Sequence, residues 1–302
     1  MTAEIRVRRV LVTGAAGRIG RAVLALLAAR GIEANALVLD DPGDLGGLGD
    51  LGRPGGLGGL GARLVVTGDA ADPATVRAAL DGADAVIHLA AIPTPERNTA
   101  QEVFAGNTVA TFTVLEEAGR AGVRQVALAS SWGTTGLPWT TDPDPHPPYV
   151  PVDADMPGQV EDPYGLSKQV DELTAAMMAR RHAMSVVCLR YPYVGGFEER
   201  LLAHAARLAE QPALGARDLW TYLEVDDAAR AALLALGVPG PGAHTVHVCA
   251  PEVIVPFPTE ELLRRFHPTT RLLRPLPGRT APVDTAPARR LFGFTAERLI
   301  KF

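Results

Sequence analysis

Residues 10–30 run from an apolar segment, Val10-Leu11-Val12-Thr13, through Gly14-Ala15-Ala16-Gly17-Arg18-Ile19-Gly20 into an amphipathic stretch that ends near Arg30. Few folds accommodate this order. A short buried strand that turns on glycine directly into a helix opens a βαβ unit, whose crossover lays the next strand parallel to the first. Gly14 permits the tight turn, Gly17 lets a pyrophosphate approach the backbone, and Gly20 lets the helix pack closely on the strand. The helix N-terminus then offers backbone N–H groups and the positive end of its dipole to phosphate. Gly14, Ala16, Gly17, Arg18 and Ile19 are therefore the candidate dinucleotide contacts. Asp40 closes the next apolar run twenty residues after Gly20. A carboxylate there accepts hydrogen bonds from the adenosine ribose hydroxyls and repels a 2′-phosphate, which no nearby Arg or Lys offers to hold, so the expected cofactor is NAD rather than NADP.

Short apolar runs continue to alternate with amphipathic stretches. Strands are expected near 6–12, 34–39, 63–67, 84–89, 124–130 and 184–190, and helices near 18–30, 73–80, 98–121 and 162–182. This is a Rossmann-like, doubly wound parallel sheet of the α/β class, with residues 1–190 as the dinucleotide-binding domain carrying the catalytic groups. Past Arg190 the pattern is mixed: helices near 198–209, 226–237 and 259–266, and strand-like runs at 219–225 and 243–249. Residues 191–302 are expected to form mainly a smaller α/β substrate lobe, partly interleaved with the sheet, with substrate held in the crevice at the strand C-termini.

Across 302 residues, 47% are hydrophobic and 21% charged, and the formal net charge is −5. That balance suits a globular protein and argues against electrostatic capture of nucleic acid or an anionic membrane. No apolar run approaches a bilayer span of about 18 residues or more, and the N-terminal stretch lacks the form of a signal peptide, so cytoplasm is the expected compartment. Cys188 and Cys249 sit in apolar runs without metal-ligand spacing, which suggests two reduced core thiols and no metal site. In residues 43–61 ten of nineteen are glycine, so a mobile loop is expected there. The proline-rich run 138–157 is stiffer and suited to shaping a pocket.

Tyr164 and Lys168 stand four apart at the start of an expected helix and so project from one face. A phenol titrates near pH 10 in water, and an adjacent ammonium favours its ionised form, which makes the pair a candidate general acid/base. With the other motifs, these residues resemble the short-chain dehydrogenase/reductase superfamily and its extended branch, the NAD-dependent epimerase/dehydratase family. Residues 13–20 are similar to its T-G-x-x-G-x-x-G, Gly68-Asp69-Ala70 to an adenine-contacting Gly-Asp, and His88-Leu89-Ala90-Ala91 to H-x-A-A. Asn107 to Thr111 resembles N-x-x-G-T with Ala110 for Gly, Ser130-Ser131 resembles the serine turn, and Asp284 to Phe294 the family's C-terminal segment with Pro287 for Lys.

The resemblance implies that Ser131 hydrogen-bonds the reacting oxygen, Tyr164 transfers the proton, and Lys168 holds the nicotinamide ribose. It also implies cofactor contacts at Asp69, Ala70, Leu89, Ala90, Ala91 and Asn107, with His88 a strand-end residue rather than a catalyst. Family members dimerise through the helices corresponding to 98–121 and 162–182, so a homodimer is implied. The serine turn lacks the acidic pair of 4,6-dehydratases, and Pro192-Tyr193 stands where UDP-sugar epimerases carry Phe-Asn. A compact substrate fits the short tail: a free sugar, uronate or cyclitol that loses hydride to NAD. Trp132, Thr134, Tyr193 and Trp220 are the expected pocket lining. Two alternatives stay open at this point, an epimerase using transient oxidation and a non-catalytic dinucleotide sensor.

Overall fold

The computed structural model describes residues 7–39 and 60–302. Asp40, and all but the last two residues of the glycine-rich segment 43–61, lie outside the described residues. The first half of the chain alternates as expected: β1 (Arg9–Thr13), α1 (Arg18–Ala29), β2 (Glu33–Val38), β3 (Ala62–Thr67), α2 (Pro73–Ala79), β4 (Ala85–His88), α3 (Ala100–Arg120) and β5 (Gln125–Ser131). Then follow β6 (Tyr149–Val150), α4 (Pro163–His182), β7 (Ser185–Tyr191), β8 (Tyr193–Gly195), α5 (Leu202–Glu210), β9 (Tyr222–Glu224), α6 (Val225–Ala235), β10 (Gly242–His247), α7 (Thr259–Phe266), β11 (Arg271–Leu272) and α8 (Ala286–Phe292).

Seven strands pair in the order β10-β7-β5-β4-β1-β2-β3, every pair parallel. Parallel strands covered on both faces must be apolar on both, and β1 shows it. Val10 and Val12 pack toward α1 and α6, while Leu11 packs with α2 and α3 residues such as Val76, Val114 and Ala118. The chain leaves β1 toward β2 and β3, then returns to place β4 on β1's other side, with Thr13 opposite His88. The loops after β1 and β4 therefore diverge, and the crevice between them is where an open α/β sheet binds ligands.

Part of the tail is interleaved with the sheet. The strand expected near 243–249 is β10, which joins the main sheet beside β7, and α6 packs in the same apolar core as α1. An apolar sheet edge at β7 is better covered by another strand than left to solvent, and α6 supplies the crossover that a parallel addition requires. A separate apolar cluster joins Trp132, Leu137 and Val150 to Trp220, Val253, Leu262 and Leu276, and this is the smaller lobe. The strand-like run 219–225 shortens to β9, because Leu219 and Trp220 adopt positive φ values of 48° and 54° and form a turn instead. No helix among the described residues is long and apolar enough to cross a membrane.

Candidate active site

The switch point opens into a cleft of about 840 Å³. One wall is the turn after β1, from Gly14 through Ile19; the end of β4, Leu89 to Ala91, lies beside it. Gly14 holds φ at 63°, and a Cβ on it would fall 2.7 Å from the Ala90 backbone nitrogen, so only glycine lets the two strand ends approach this closely. No side chain caps α1, whose N-cap is Gly17, and Arg18, Ile19 and Gly20 of its first turn line the cleft. An uncapped helix start beside a glycine cradle fits the pyrophosphate of NAD. Gly14, Ala16, Gly17, Arg18, Ile19, Leu89, Ala90 and Ala91 all line this part of the cleft.

Ser131, Tyr164 and Lys168 line the same cleft. Asp162 caps α4 by accepting from the Gly165 N–H at 2.8 Å, and Pro163 occupies the first turn, which starts the helix immediately before Tyr164. Lys168 follows one turn later, its Nζ 6.0 Å from the Tyr164 ring centroid. The ammonium donates to the Ala129 carbonyl at 3.1 Å and to Asp171 Oδ2 at 3.0 Å. Burial pushes its pKa down, but the charge of Asp171, then Tyr164, and the hydrogen bond to Asp171 outweigh that and hold it above the ordinary lysine value. Ser131 ends β5 and accepts from the Gly133 N–H at 3.0 Å. Gly133 sits where three groups converge: a Cβ there would lie 3.3 Å from Ser131 Oγ, 3.3 Å from Tyr164 Cδ1 and 2.9 Å from the Trp139 ring. The serine and the phenol ring are thus neighbours separated by one residue that has no side chain.

Two polar residues buttress these walls from behind. His88 Nδ1 meets Thr13 Oγ1 at 2.7 Å and Nε2 meets Thr111 Oγ1 at 3.2 Å. Burial, and then the Lys168 charge, push its pKa down to about 3, so it stays neutral at physiological pH. Asn107 does not line the cleft. Its Oδ1 accepts from the Ile92 N–H at 2.7 Å, and its Nδ2 donates to the Ile92 carbonyl at 3.1 Å and to Ser167 Oγ at 3.0 Å. It joins the loop after β4 to α4 between Tyr164 and Lys168.

Trp132 and Tyr193 reach the cleft, and the other two expected pocket residues do not. Thr134 is buried and donates to the Ser131 carbonyl at 2.8 Å, which fixes the serine turn from inside. Trp220 is fully buried, donates to the Pro212 carbonyl at 2.7 Å and packs against Phe266 and His267, so it is lobe core. Asp69 and Ala70 also stand apart from the cleft wall. Asp69 accepts from the Ala71 N–H at 2.8 Å in the turn before α2, and Ala70 is buried beneath that helix.

Pro138 and Trp139 of the proline-rich run line the cleft, whereas sequence reasoning left out Arg200, Arg217 and Asp218. The stiff proline run was the signal for the first two, and Trp139 packs edge-on against the Tyr164 ring at 5.3 Å. Arg200 lies in a π-helical turn, Phe197–Leu201, with its guanidinium 3.8 Å from the centroid of Tyr193, whose other face stacks on His204 at 4.1 Å. Arg217 donates to the carbonyls of Pro138, Thr140 and Asp142, tying the proline-rich loop to the lobe. Burial pushes the Asp218 carboxyl up to about 6 despite the adjacent Arg217. Arg18 pairs with Glu199 at 2.6 Å, joining the α1 terminus to the lobe across the cleft mouth.

The model of the NAD dependent epimerase/dehydratase family matches residues 10–249. The chain belongs to this family. Its members are NAD-dependent, and NAD is the cofactor that the glycine cradle fits. The chain is 33% identical over 129 residues to sterol demethylase protein B of Methylococcus capsulatus, covering 42% of this chain and 35% of that protein. It is 32% identical over 126 residues to a uronate dehydrogenase of Pseudomonas putida, covering 42% and 43% of the two chains. A third relative, the NAD-dependent glucose-6-phosphate dehydrogenase of Haloferax volcanii, is 34% identical over 186 residues, 60% of this chain and 66% of that one. The matches thus span less than two thirds of each relative. A short-chain dehydrogenase/reductase superfamily protein from Agrobacterium tumefaciens, solved with bound NAD, shares the fold with a TM-score of 0.67 at 24% identity, over 96% of this chain and 93% of that one.

Proposed function

We propose that the protein is an NAD-dependent oxidoreductase that withdraws hydride from a hydroxyl-bearing carbon of an acidic sugar, a uronate or a sugar phosphate. The observation that carries the reaction class is that Ser131, Tyr164 and Lys168 line the same cleft as the glycine turn into α1, with Ser131 and the Tyr164 ring meeting at Gly133. Gly14, Ala16, Gly17, Arg18, Ile19 and Leu89 to Ala91 would hold NAD, which would supply the hydride acceptor. Tyr164 Oη takes the proton from the substrate hydroxyl as general base. Ser131 Oγ hydrogen-bonds the same oxygen and holds it against the phenol. Lys168 supplies the positive charge that favours Tyr164 as the phenolate before transfer, and the proton taken from the substrate neutralises that phenolate. Asn107 acts through others, keeping the loop after β4 and the start of α4 in register.

The acidic sugar rests on the cations in the cleft. Arg18 is paired with Glu199 and Arg217 is committed to three carbonyls. Arg200 has one side-chain hydrogen bond among the described residues, from Nε to Tyr193 Oη, and its remaining N–H groups fit a carboxylate or phosphate. Two relatives are named for acidic sugars, a uronate and glucose 6-phosphate, which supports the same reading. The proposal also includes a cytoplasmic location, supported by two free buried cysteines. It further includes a homodimer, supported by exposed apolar residues on α3 and α4, among them Phe112, Leu166 and Leu173.

The test is near-ultraviolet absorbance on mixing the protein with NAD⁺ and a panel of uronates, sugar phosphates, neutral sugars, cyclitols, sugar nucleotides and sterols. NADH formed with an acidic sugar supports the proposal, and Arg200→Ala should then raise KM at least ~10-fold for that substrate. An isomerised product without net NADH assigns epimerisation instead, and NADH with only a sterol refutes the sugar assignment. Tyr164→Phe should keep NAD⁺ binding and lose at least ~100-fold in kcat; unchanged turnover would refute the acid/base role.

A further inference from the structure

Lys168 is one of only two lysines in the chain, the other being the exposed Lys301. Its side chain is 3% exposed, so its ammonium is a buried charge that needs both hydrogen bonds and a counter-charge. An ammonium has three N–H donors. The Ala129 carbonyl takes one and Asp171 Oδ2 takes a second, leaving a single N–H for the cleft. Asp171 lies one turn further along α4, is fully buried, and its other oxygen has no hydrogen-bond partner among the described residues. Its carboxylate thus serves Lys168, with the Thr111 hydroxyl beside it.

The groups packed around this pair do not replace it. On α4, Glu172 is engaged by Arg190 at 2.8 Å and by Ser130 at 2.6 Å, and Tyr164 is the partner in the proposed chemistry. On β4, His88 is held neutral by burial and by the Lys168 charge itself. On β7, burial pushes the Cys188 thiol far up, so it is un-ionised. On α3, the facing Thr111 does not titrate. Asp171 is the one carboxylate in contact with the ammonium among the described residues.

We propose that Asp171 is the positioning residue of the catalytic centre: its carboxylate balances the buried ammonium and fixes which single N–H remains for the cleft. The catalytic meaning rests on the function proposed above, but the ion pair can be tested without any substrate. Without Asp171 the buried lysine loses its proton at lower pH, because burial is then opposed mainly by Tyr164.

Side-chain ¹³C-lysine labelling gives two resonances from this chain, assigned by Lys301→Arg. In the wild-type protein the Lys168 signal should stay unshifted as pH passes the ordinary lysine value of about 10.4. In Asp171→Asn, which preserves side-chain size, it should titrate at least ~1 pH unit lower than in the wild type. A wild-type Lys168 that titrates at or below the ordinary value overturns the proposal with no variant needed, as does an Asp171→Asn titration that matches the wild type. Once a substrate is in hand, the alkaline limb of the kcat profile should move to lower pH in Asp171→Asn. A uniform fall in kcat with an unchanged profile would mark Asp171 as packing alone and refute the positioning role.

Discussion

Asn107→Ala removes three hydrogen bonds at once, two to the Ile92 backbone and one to Ser167 Oγ. Ser167 keeps its own bond to the Tyr164 carbonyl at 2.7 Å, so the groups left without a partner are the Ile92 N–H and C=O. Each orphaned buried group costs about 1–3 kcal/mol, and because Ile92 is only half-buried the sum is about 2–4 kcal/mol. An unfolding entropy of about 2.1 cal/mol/K per residue over 302 residues is about 0.6 kcal/mol/K, so the melting temperature should fall by about 3–6 °C. Because the freed loop carries Ala91 and Pro93 on the cleft wall, kcat/KM should also fall, by ~10-fold or more. Asn107→Asp separates the bonds further. One carboxylate oxygen can still accept from Ile92 N–H, but the other faces the Ile92 carbonyl and Ser167 Oγ, whose proton is committed elsewhere. The aspartate is therefore favoured in its protonated form, with a folded-state pKa above the unfolded value of about 3.9. That variant should be most stable below pH ~4 and lose stability as pH rises through the folded-state pKa, the reverse of a salt-bridged carboxylate. Thermal melts across pH and steady-state kinetics measure all of this. A melting temperature within 1 °C of wild type for Asn107→Ala, with unchanged kinetics, would refute the bracing argument.

Three other outcomes are expected. His182, then Arg181, hold the Glu116 carboxyl down to about 2, so its stabilisation is present above the unfolded value of about 4.3 and is lost as pH falls toward 2. Glu116→Gln should flatten that acid limb in denaturant titrations, and an unaltered limb would discount the cluster. Gly133→Ala puts a Cβ 2.9 Å from the Trp139 ring and beside Ser131 and Tyr164, so kcat should fall ~10-fold or more while NAD⁺ affinity holds within ~2-fold. Equal losses in both would show that the residue serves the whole cleft. Glu199→Gln removes the ion pair with Arg18 across the cleft mouth and should speed NAD⁺ release several-fold, roughly the worth of ~1 kcal/mol, in stopped-flow displacement. An unchanged release rate would show that the pair does not retain cofactor.

The readable parts of the site are those where local spacing dictates geometry. Gly14 and Gly17 are tied to a strand-to-helix turn, and Tyr164 and Lys168 share a helix face because they are four apart. Thr134 and Trp220 misled because a threonine in a turn and an aromatic in a lobe carry no signal of direction. The serine turn spends Thr134 on its own backbone, and the positive φ at Trp220 swings that ring into the core. Arg200 was not foreseen because its presentation depends on an irregular π-helical turn and on stacking against Tyr193, which no regular helix or strand spacing predicts. Asp171 was passed over for a related reason: nothing at the level of sequence spacing distinguishes a buried carboxylate from a solvated one.

By itself, the sequence determined that this chain builds a parallel α/β sheet, turns on glycine at a dinucleotide site, and carries a tyrosine and lysine on one helix face. Those properties follow from hydrophobic period, backbone freedom and residues a few positions apart, all of which are local. Only the tertiary structure decided that β10 and α6 complete the sheet rather than the lobe, that Asn107 links two walls, and which cations reach the cleft. Each of these depends on burial and on contacts between residues far apart in the chain, where a side chain's partner is set by packing rather than by its neighbours in sequence.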